Sequence, residues 1–401
     1  MLFDVEPMPG DPILALMSAY RADTSDKKVD LGVGVYQDDA GNTPVVRAVA
    51  EAEAQVLREQ TTKSYVGIAG AEPFNAAMTS LLFGKDHAAI AQGRVVTVQS
   101  AGGSGGLRVA AELIRSLRPG ATVWVTTPTW PNHVPLLTAA GIAIREFRYY
   151  DAATGDVDTQ GMLEDIASIP AGDVLLLHGC CHNPTGADMD AATWAAIAEL
   201  CLERDILPFV DTAYQGFAHG LDADAQGIRE LADVVPEMLA VTSCSKNFGL
   251  YRERVGTLSL LTRHAKHAAA ARTHVLKIVR AMISMPPDHG ARVVAQILAS
   301  DTLTADWQQE LTDMRERMQA LRRGFVAALA PHGLAERFEF VARQNGMFSL
   351  LGITRAQIDV LREQWHVYIV GSSRVNVAGL TANKVGYIAD ALAATLAGDT
   401  D

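Results

Sequence analysis

Cysteine is scarce in this 401-residue chain, with four residues, two of them adjacent at Cys180 and Cys181. So sparse a set builds no disulfide framework and points to a reducing compartment. Basic charge is short as well. Lys and Arg number 34 against 46 Asp and Glu, a formal net charge of −12, the wrong sign for a protein whose affinity rests on neutralising phosphates. Nucleic acid is an unsuitable partner. Long apolar runs are missing too: no window approaches the ~18 residues of a membrane span. The opening MLFDVEPMPGDP carries Asp4 and Glu6 and no basic leader, which argues against a secretory or transit signal. A cytoplasmic protein is the expectation. What is abundant is ordinary: hydrophobic residues at 49% with 20% charged, 33 Gly and 16 Pro exclude a disordered or fibrous chain. At ~150 residues per domain the length allows two or three domains.

Between about 94 and 262, short apolar runs alternate with helical patterns: RVVTV (94–98), TVWVT (122–126), VLLLH (174–178), ILPFVD (206–211), MLAVTS (238–243) and TLSLL (257–261). Residues apolar at consecutive positions are what strands covered on both faces look like. The intervening segments, such as AATWAAIAELCLERD, read as helices with basic residues late. The pattern predicts an α/β layer with a largely parallel sheet. From about 263 long helices follow, then strands near 347–352 and 366–370 and a last helix from about 383. The first ~45 residues hold one helix, PILALMSAYRA, and an extended LGVGVY, too little to fold alone. The expected division is an N-terminal arm (1–10), a small discontinuous domain (11–44 and 314–401) and a large domain (45–313).

Five clusters fall at or just after predicted strand ends, where an open parallel sheet binds its ligands. Ser100-Ala-Gly-Gly103-Ser104-Gly-Gly could turn backbone N–H groups on an anion at a helix start. No Gly-Lys-Ser/Thr follows, and Arg108 stands where GxGxxG needs its third glycine, so neither phosphate fingerprint applies; a plain glycine turn fits the residues as well. His178-Gly-Cys-Cys-His-Asn183-Pro-Thr-Gly crowds two His and two Cys together, but vicinal cysteines suit tetrahedral zinc poorly, and no metal is expected. Its Asn183 could instead present an amide to a ligand, or simply make the turn. Asp211 ends a buried strand and needs a cation or donor to stay charged, with Tyr214 three residues on. Lys246, in Thr242-Ser243-Cys-Ser-Lys246 with Arg254 beyond, has the surroundings of a desolvated amine fit for a Schiff base, or of a loop lysine. Arg374 opens a strand-like run and could grip a carboxylate in two parallel bonds.

These clusters, in this order, resemble the class I aminotransferases of the aspartate and aromatic branch, pyridoxal-phosphate enzymes of fold type I. The similarity runs nearly end to end, through DPILALMSAYRAD, LGVGVYQDDAGNTP, TTKSYVGIAG, TPTWPNH, HGCCHNPTG, DTAYQGF, SCSKNFGLYRERVG, NGMFS and SRVNVAGL. The resemblance implies a large domain with a mostly parallel central sheet and a smaller discontinuous α/β domain. It implies that Lys246 bonds the cofactor and later moves the proton at Cα. Asp211 would pair with the pyridinium nitrogen, while Tyr214 and Asn183 bond the ring hydroxyl oxygen. Trp130 would stack on the ring, with His133 in support. Gly103, Ser104, Ser243 and Arg254 would hold the phosphate, with Tyr65 of the other subunit. Arg374 would bind the α-carboxylate, helped by Asn183 and the Gly34 region. Because Tyr65 and Arg280 would serve the neighbouring site, a homodimer is implied. The reaction would be ping-pong between an amino acid and a 2-oxo acid, with 2-oxoglutarate and glutamate as the common pair.

Arg280 matches the arginine that takes a distal carboxylate in this family. After it come Met282 and Met285, where the aspartate-specific branch typically has asparagines, so this wall is apolar and deformable. Ser104 stands for Thr, Ser64 for Asn and Gln37 for Lys. All lessen polar or positive character at the distal end, which favours a ring. The reading is an aromatic aminotransferase that also takes aspartate and glutamate, with aspartate aminotransferase second. Two readings from other classes are weaker. Another pyridoxal-phosphate reaction lacks a use for two arginines, and a silent ligand-sensing domain lacks a DNA-binding module and has no need of Lys246 with Asp211.

Overall fold

The computed structural model describes residues 5–7 and 10–398, so most of the expected N-terminal arm lies outside the described residues. The chain divides into two compact units, Pro44–Asn183 with Ala187–Arg317, and Met1–Thr43 with Pro184–Gly186 and Met318–Asp401.

The larger unit is built on seven strands: β1 (Val95–Ala101), β2 (Thr122–Thr127), β3 (Ala143–Arg148), β4 (Val174–His178), β5 (Leu207–Thr212), β6 (Met238–Ser243) and β7 (Val255–Leu261). Their order across the sheet is β1-β7-β6-β5-β4-β2-β3. Only β7 runs against its neighbours, pairing antiparallel with both β1 and β6. β4 to β7 are buried at every position, which is why they read as unbroken apolar runs. Alternate residues serve opposite faces. Leu176, Phe209 and Val241 join one core, whereas Leu175, Val210 and Ala240 join another. The sequence reading missed β3, which is an edge strand and mostly exposed, so IREFR lacks the apolar run that marks the others.

Helices follow local chemistry. Ala191–Arg204 starts behind Asp190, whose carboxylate accepts from Thr193 N, and stops at Asp205 in the left-handed region, with Arg204 in its last turn. The helix α1 (Gly102–Leu117) begins on the glycine cluster itself. Two further long helices are α2 (Ala265–Ile283) and α3 (Asp301–Leu329), the latter divided by the unit boundary.

The smaller unit has its own core, with Leu31, Phe325, Phe338, Ile358, Val367 and Leu392 fully buried. Val29–Asp30 pairs parallel with Val367–Tyr368. The extended LGVGVY therefore contributes no ladder of its own; the paired residues lie just before it. Strands β8 (Phe348–Leu350) and β9 (Arg374–Asn376) pair antiparallel, Leu350 opposite Arg374.

Candidate active site

The sheet registers bring the ends of five strands level: His178 opposite Asp211, Thr212 opposite Thr242, Ser243 opposite Gly256 and Ala101 opposite Val255. Asp211 sits at this edge, 9% exposed. His133 Nε2 lies 3.0 Å from its Oδ2. Burial pushes the Asp211 carboxyl up, but the hydrogen bond with His133 and the positive charge nearby, that of Lys246 included, outweigh it and hold the pKa below the ordinary value. The buried carboxylate is thus anionic and facing a donor. Thr129 Oγ1 lies 2.8 Å from His133 Nδ1 and 3.2 Å from His178 Nε2. Burial brings His178 down to about 3, with the His133 charge acting the same way against Asp211, so it stays neutral. His182 stacks on Tyr149 at 4.0 Å and meets Thr126 Oγ1 at 3.0 Å. Of this cluster the sequence reading named only His133 as support. His178 and His182 carry a visible signal, two histidines at and just beyond the end of a buried strand, but beside Cys180 and Cys181 that pattern points first to metal binding.

Lys246 Nζ lies 5.0 Å from the centre of the Tyr214 ring, and Asn183 Nδ2 donates to Tyr214 Oη at 3.4 Å. Trp130 meets His133 edge to face at 5.3 Å. Lys246, Tyr214 and Asn183 thus form one set of contacts and Trp130, His133 and Asp211 another, and the charge of Lys246 acts on Asp211 across the two.

The glycine cluster, Ser243 and Arg254 also converge. A Cβ on Gly103 would stand 3.1 Å from Ser243 Cβ. Gly102 has φ +70°, and a Cβ there would come within 2.5 Å of Arg254 Nη2. Arg254 Nη1 donates to Ser245 Oγ at 3.4 Å, and Ser245 accepts from Ser243 Oγ at 3.1 Å. A helix start, two hydroxyls and a guanidinium held against bare glycine backbone make a cradle for a dianion. Ser104, half-buried on the first turn of α1, adds a third hydroxyl. With a lysine, an aromatic ring and an anionic carboxylate on adjoining elements, these residues fit pyridoxal phosphate: an acid for its ring nitrogen, an amine for its aldehyde and a cradle for its phosphate.

In the smaller unit Arg374 is 4% exposed, donates through Nη2 to Gly32 O at 3.1 Å and lies 4.2 Å from the Phe348 ring centre. A Cβ on Gly34 would stand 3.6 Å from Phe348 Cζ. Asn376 Nδ2 donates to Val33 O and Val35 O, both at 2.7 Å, tying this loop to β9. Phe348 was not singled out from the sequence, because an aromatic in a strand reads as core.

Tyr65 and Arg280 are exposed, Tyr65 to 93%, as are Met282 and Ile283 at 38% and 40%. Cys180, Cys181 and Asp224 lie close enough to suggest a metal site. Their chemistry favours packing. Asp224 accepts from the backbone N–H groups of Gly216, Ala218 and His219. The hydrogen bond with Cys181 lowers the Cys180 thiol, but burial and the charges of Asp224 and Asp188 carry it up to about 11, so thiolate ligands are scarce.

The family model described as aminotransferase class I and II matches residues 26–392. The chain is 45% identical to an aspartate aminotransferase of Salmonella typhi over 99% of its length and 100% of the relative's. It is equally, 45%, identical to an aromatic-amino-acid aminotransferase of Pseudomonas aeruginosa, covering 97% of each. A crystal structure of an aromatic-amino-acid aminotransferase from Burkholderia pseudomallei, covalently bound to pyridoxal phosphate, matches with a TM-score of 0.96 at 42% identity, covering 99% of this chain and 100% of that one. The chain belongs to the class I and II aminotransferase family. It is a pyridoxal-phosphate-dependent transaminase with the fold of that class, acting on amino acids and 2-oxo acids.

Proposed function

We propose that this enzyme transaminates tyrosine, phenylalanine and tryptophan, and also aspartate and glutamate, with 2-oxoglutarate as the common acceptor. The observation that carries the aromatic preference is the pair Met282 and Met285 just beyond Arg280, polarizable apolar side chains next to that cation. The equal identity to aspartate and aromatic relatives supports a second reading, aspartate aminotransferase.

When bound, pyridoxal phosphate supplies an aldehyde for the substrate amine and a ring that draws electrons from Cα. Lys246 holds it covalently at rest. Released by substrate, the Lys246 amine would take the proton from the substrate Cα and deliver it to the cofactor's C4′. Asp211, kept anionic by His133, holds the proton on the ring nitrogen. Tyr214 and Asn183 would donate to the ring hydroxyl oxygen, and Trp130 would cover the ring face. Gly103, Ser104, Ser243 and Arg254 bind the phosphate, with Tyr65 of the partner subunit. Arg374 forks onto the substrate α-carboxylate, aided by Asn183 and the Gly34 backbone. Arg280 would reach the neighbouring subunit's site and bind the substrate's distal carboxylate there.

The exposed Tyr65 and Arg280 support a homodimer with shared sites. Among the described residues no helix is long and apolar enough to cross a membrane. With four free, buried cysteines this supports a cytoplasmic enzyme. The test is a half-reaction: mix holoenzyme with tyrosine, phenylalanine or aspartate and follow loss of the visible band of lysine-bound cofactor. Conversion by the aromatics at rates comparable to aspartate is expected. Conversion by aspartate alone would make this an aspartate aminotransferase.

A further inference from the structure

Arg322 of α3 is 0% exposed. Inside the smaller unit its guanidinium donates to four backbone carbonyls and one hydroxyl. Nη1 donates to Val341 O at 2.9 Å and to Ser349 Oγ at 2.7 Å. Nη2 donates to Asn345 O and Gly346 O, each at 2.9 Å, and to Phe348 O at 2.7 Å. Ser349 Oγ in turn donates to Gln344 Oε1 at 2.6 Å.

A buried cation is costly, and an apolar side chain of similar volume would hold a helix to a loop with less desolvation. What the guanidinium adds is direction: a planar fork fixes several acceptors at once, where a hydrocarbon fixes none. Those acceptors span 341–349, the segment that enters β8. There the Phe348 ring lies 4.2 Å from the guanidinium carbon of Arg374, and Leu350 pairs with Arg374 itself. The guanidinium of Arg374 is thus seated on a ring whose own backbone is bonded to Arg322.

We infer that Arg322 is a positioning residue for substrate binding: it fixes the 341–349 segment so that Phe348 holds the Arg374 guanidinium in the orientation that receives a carboxylate. This rests on the reading of Arg374 as the α-carboxylate ligand. Arg322 touches no substrate and acts through Phe348. A merely structural arginine would alter thermal stability and leave carboxylate affinity alone.

The experiment compares holoenzyme with Arg322→Lys, Phe348→Leu, their double variant and Arg374→Ala. The probe is 3-phenylpropanoate, an unreactive carboxylate, titrated through the visible absorbance of the bound cofactor. Arg322→Lys and Phe348→Leu should each weaken the probe about ten-fold and raise KM more than they lower kcat, as expected for a misplaced ligand group. Cofactor retention should not change. The double variant should be no weaker than the worse single one, because both act through one path. Unchanged probe affinity in Arg322→Lys, or fully additive losses, overturns the inference. If Arg322→Lys does not accumulate, Ser349→Ala removes one of the five acceptors and is read by the same probe with the same outcomes. Arg374→Ala separates the two readings: if it leaves probe affinity intact, the assignment of Arg374 itself is wrong. If it abolishes binding while Arg322→Lys and Phe348→Leu do not weaken it, only the role of Arg322 falls.

Discussion

Asp211 and Lys246 show how much of the chemistry is set by single residues and their immediate charges. Lys246→Ala should abolish both the visible band of lysine-bound cofactor and multiple turnover, and retained turnover would overturn the mechanism proposed. His178 gives a pH prediction. Its folded pKa, about 3, lies below the ordinary ~6.5 of an unfolded histidine. Above pH ~6.5 neither state binds the proton and the native protein keeps its full stability. Below that, the unfolded chain gains a proton the native chain refuses, and stability is lost progressively down to about pH 3. The slope from this one group is on the order of 1 kcal/mol per pH unit. His178→Gln should flatten the fall of Tm between pH 6 and 4 relative to the parent. A parallel fall in both proteins would show that His178 is not the source.

At the scale of elements, the site depends on how strands end and helices begin. Gly102 is the clearest case. Its φ of +70° and the nearness of Arg254 leave no room for a side chain where β1 turns into α1. Gly102→Ala should cost about 1–3 kcal/mol of backbone strain and displace Arg254 from the cradle. Cofactor affinity should fall at least ten-fold, measured by the rate at which the visible band is lost on dilution. Unaltered retention would remove Arg254 from the phosphate site. The strands β4 to β7 were legible because burial on both faces leaves no polar position to interrupt them. β3 was not, since an exposed edge strand has no such constraint.

For the whole molecule the decisive expectation is the shared site. Chains carrying Lys246→Ala should form hybrid dimers with chains carrying Arg280→Ala. Each hybrid then has one native site and one doubly altered one, so an equal mixture should recover about a quarter of parental aspartate activity. No recovery after subunit exchange, with dimers verified by sedimentation, would place Arg280 outside the partner's site.

The order of clusters along the chain was determined by sequence alone: a glycine turn, an Asn turn, a strand-end Asp with Tyr, a Ser-x-Ser-Lys and two arginines, each at or just after an apolar run. Local chemistry suffices for that, because buried parallel strands, turns and helix caps write their requirements into neighbouring residues. Sequence did not reveal that Thr129 bridges His133 and His178, that Arg254 lies against Gly102, or that Arg322 reaches five acceptors beneath Phe348. Those pairs are 4 to 152 residues apart, and nothing local distinguishes a threonine that aligns two imidazoles from one that faces water. Only sheet register and core packing choose which distant polar groups meet, and burial then makes each meeting obligatory, since a polar group shut away from water must find its partner in the fold.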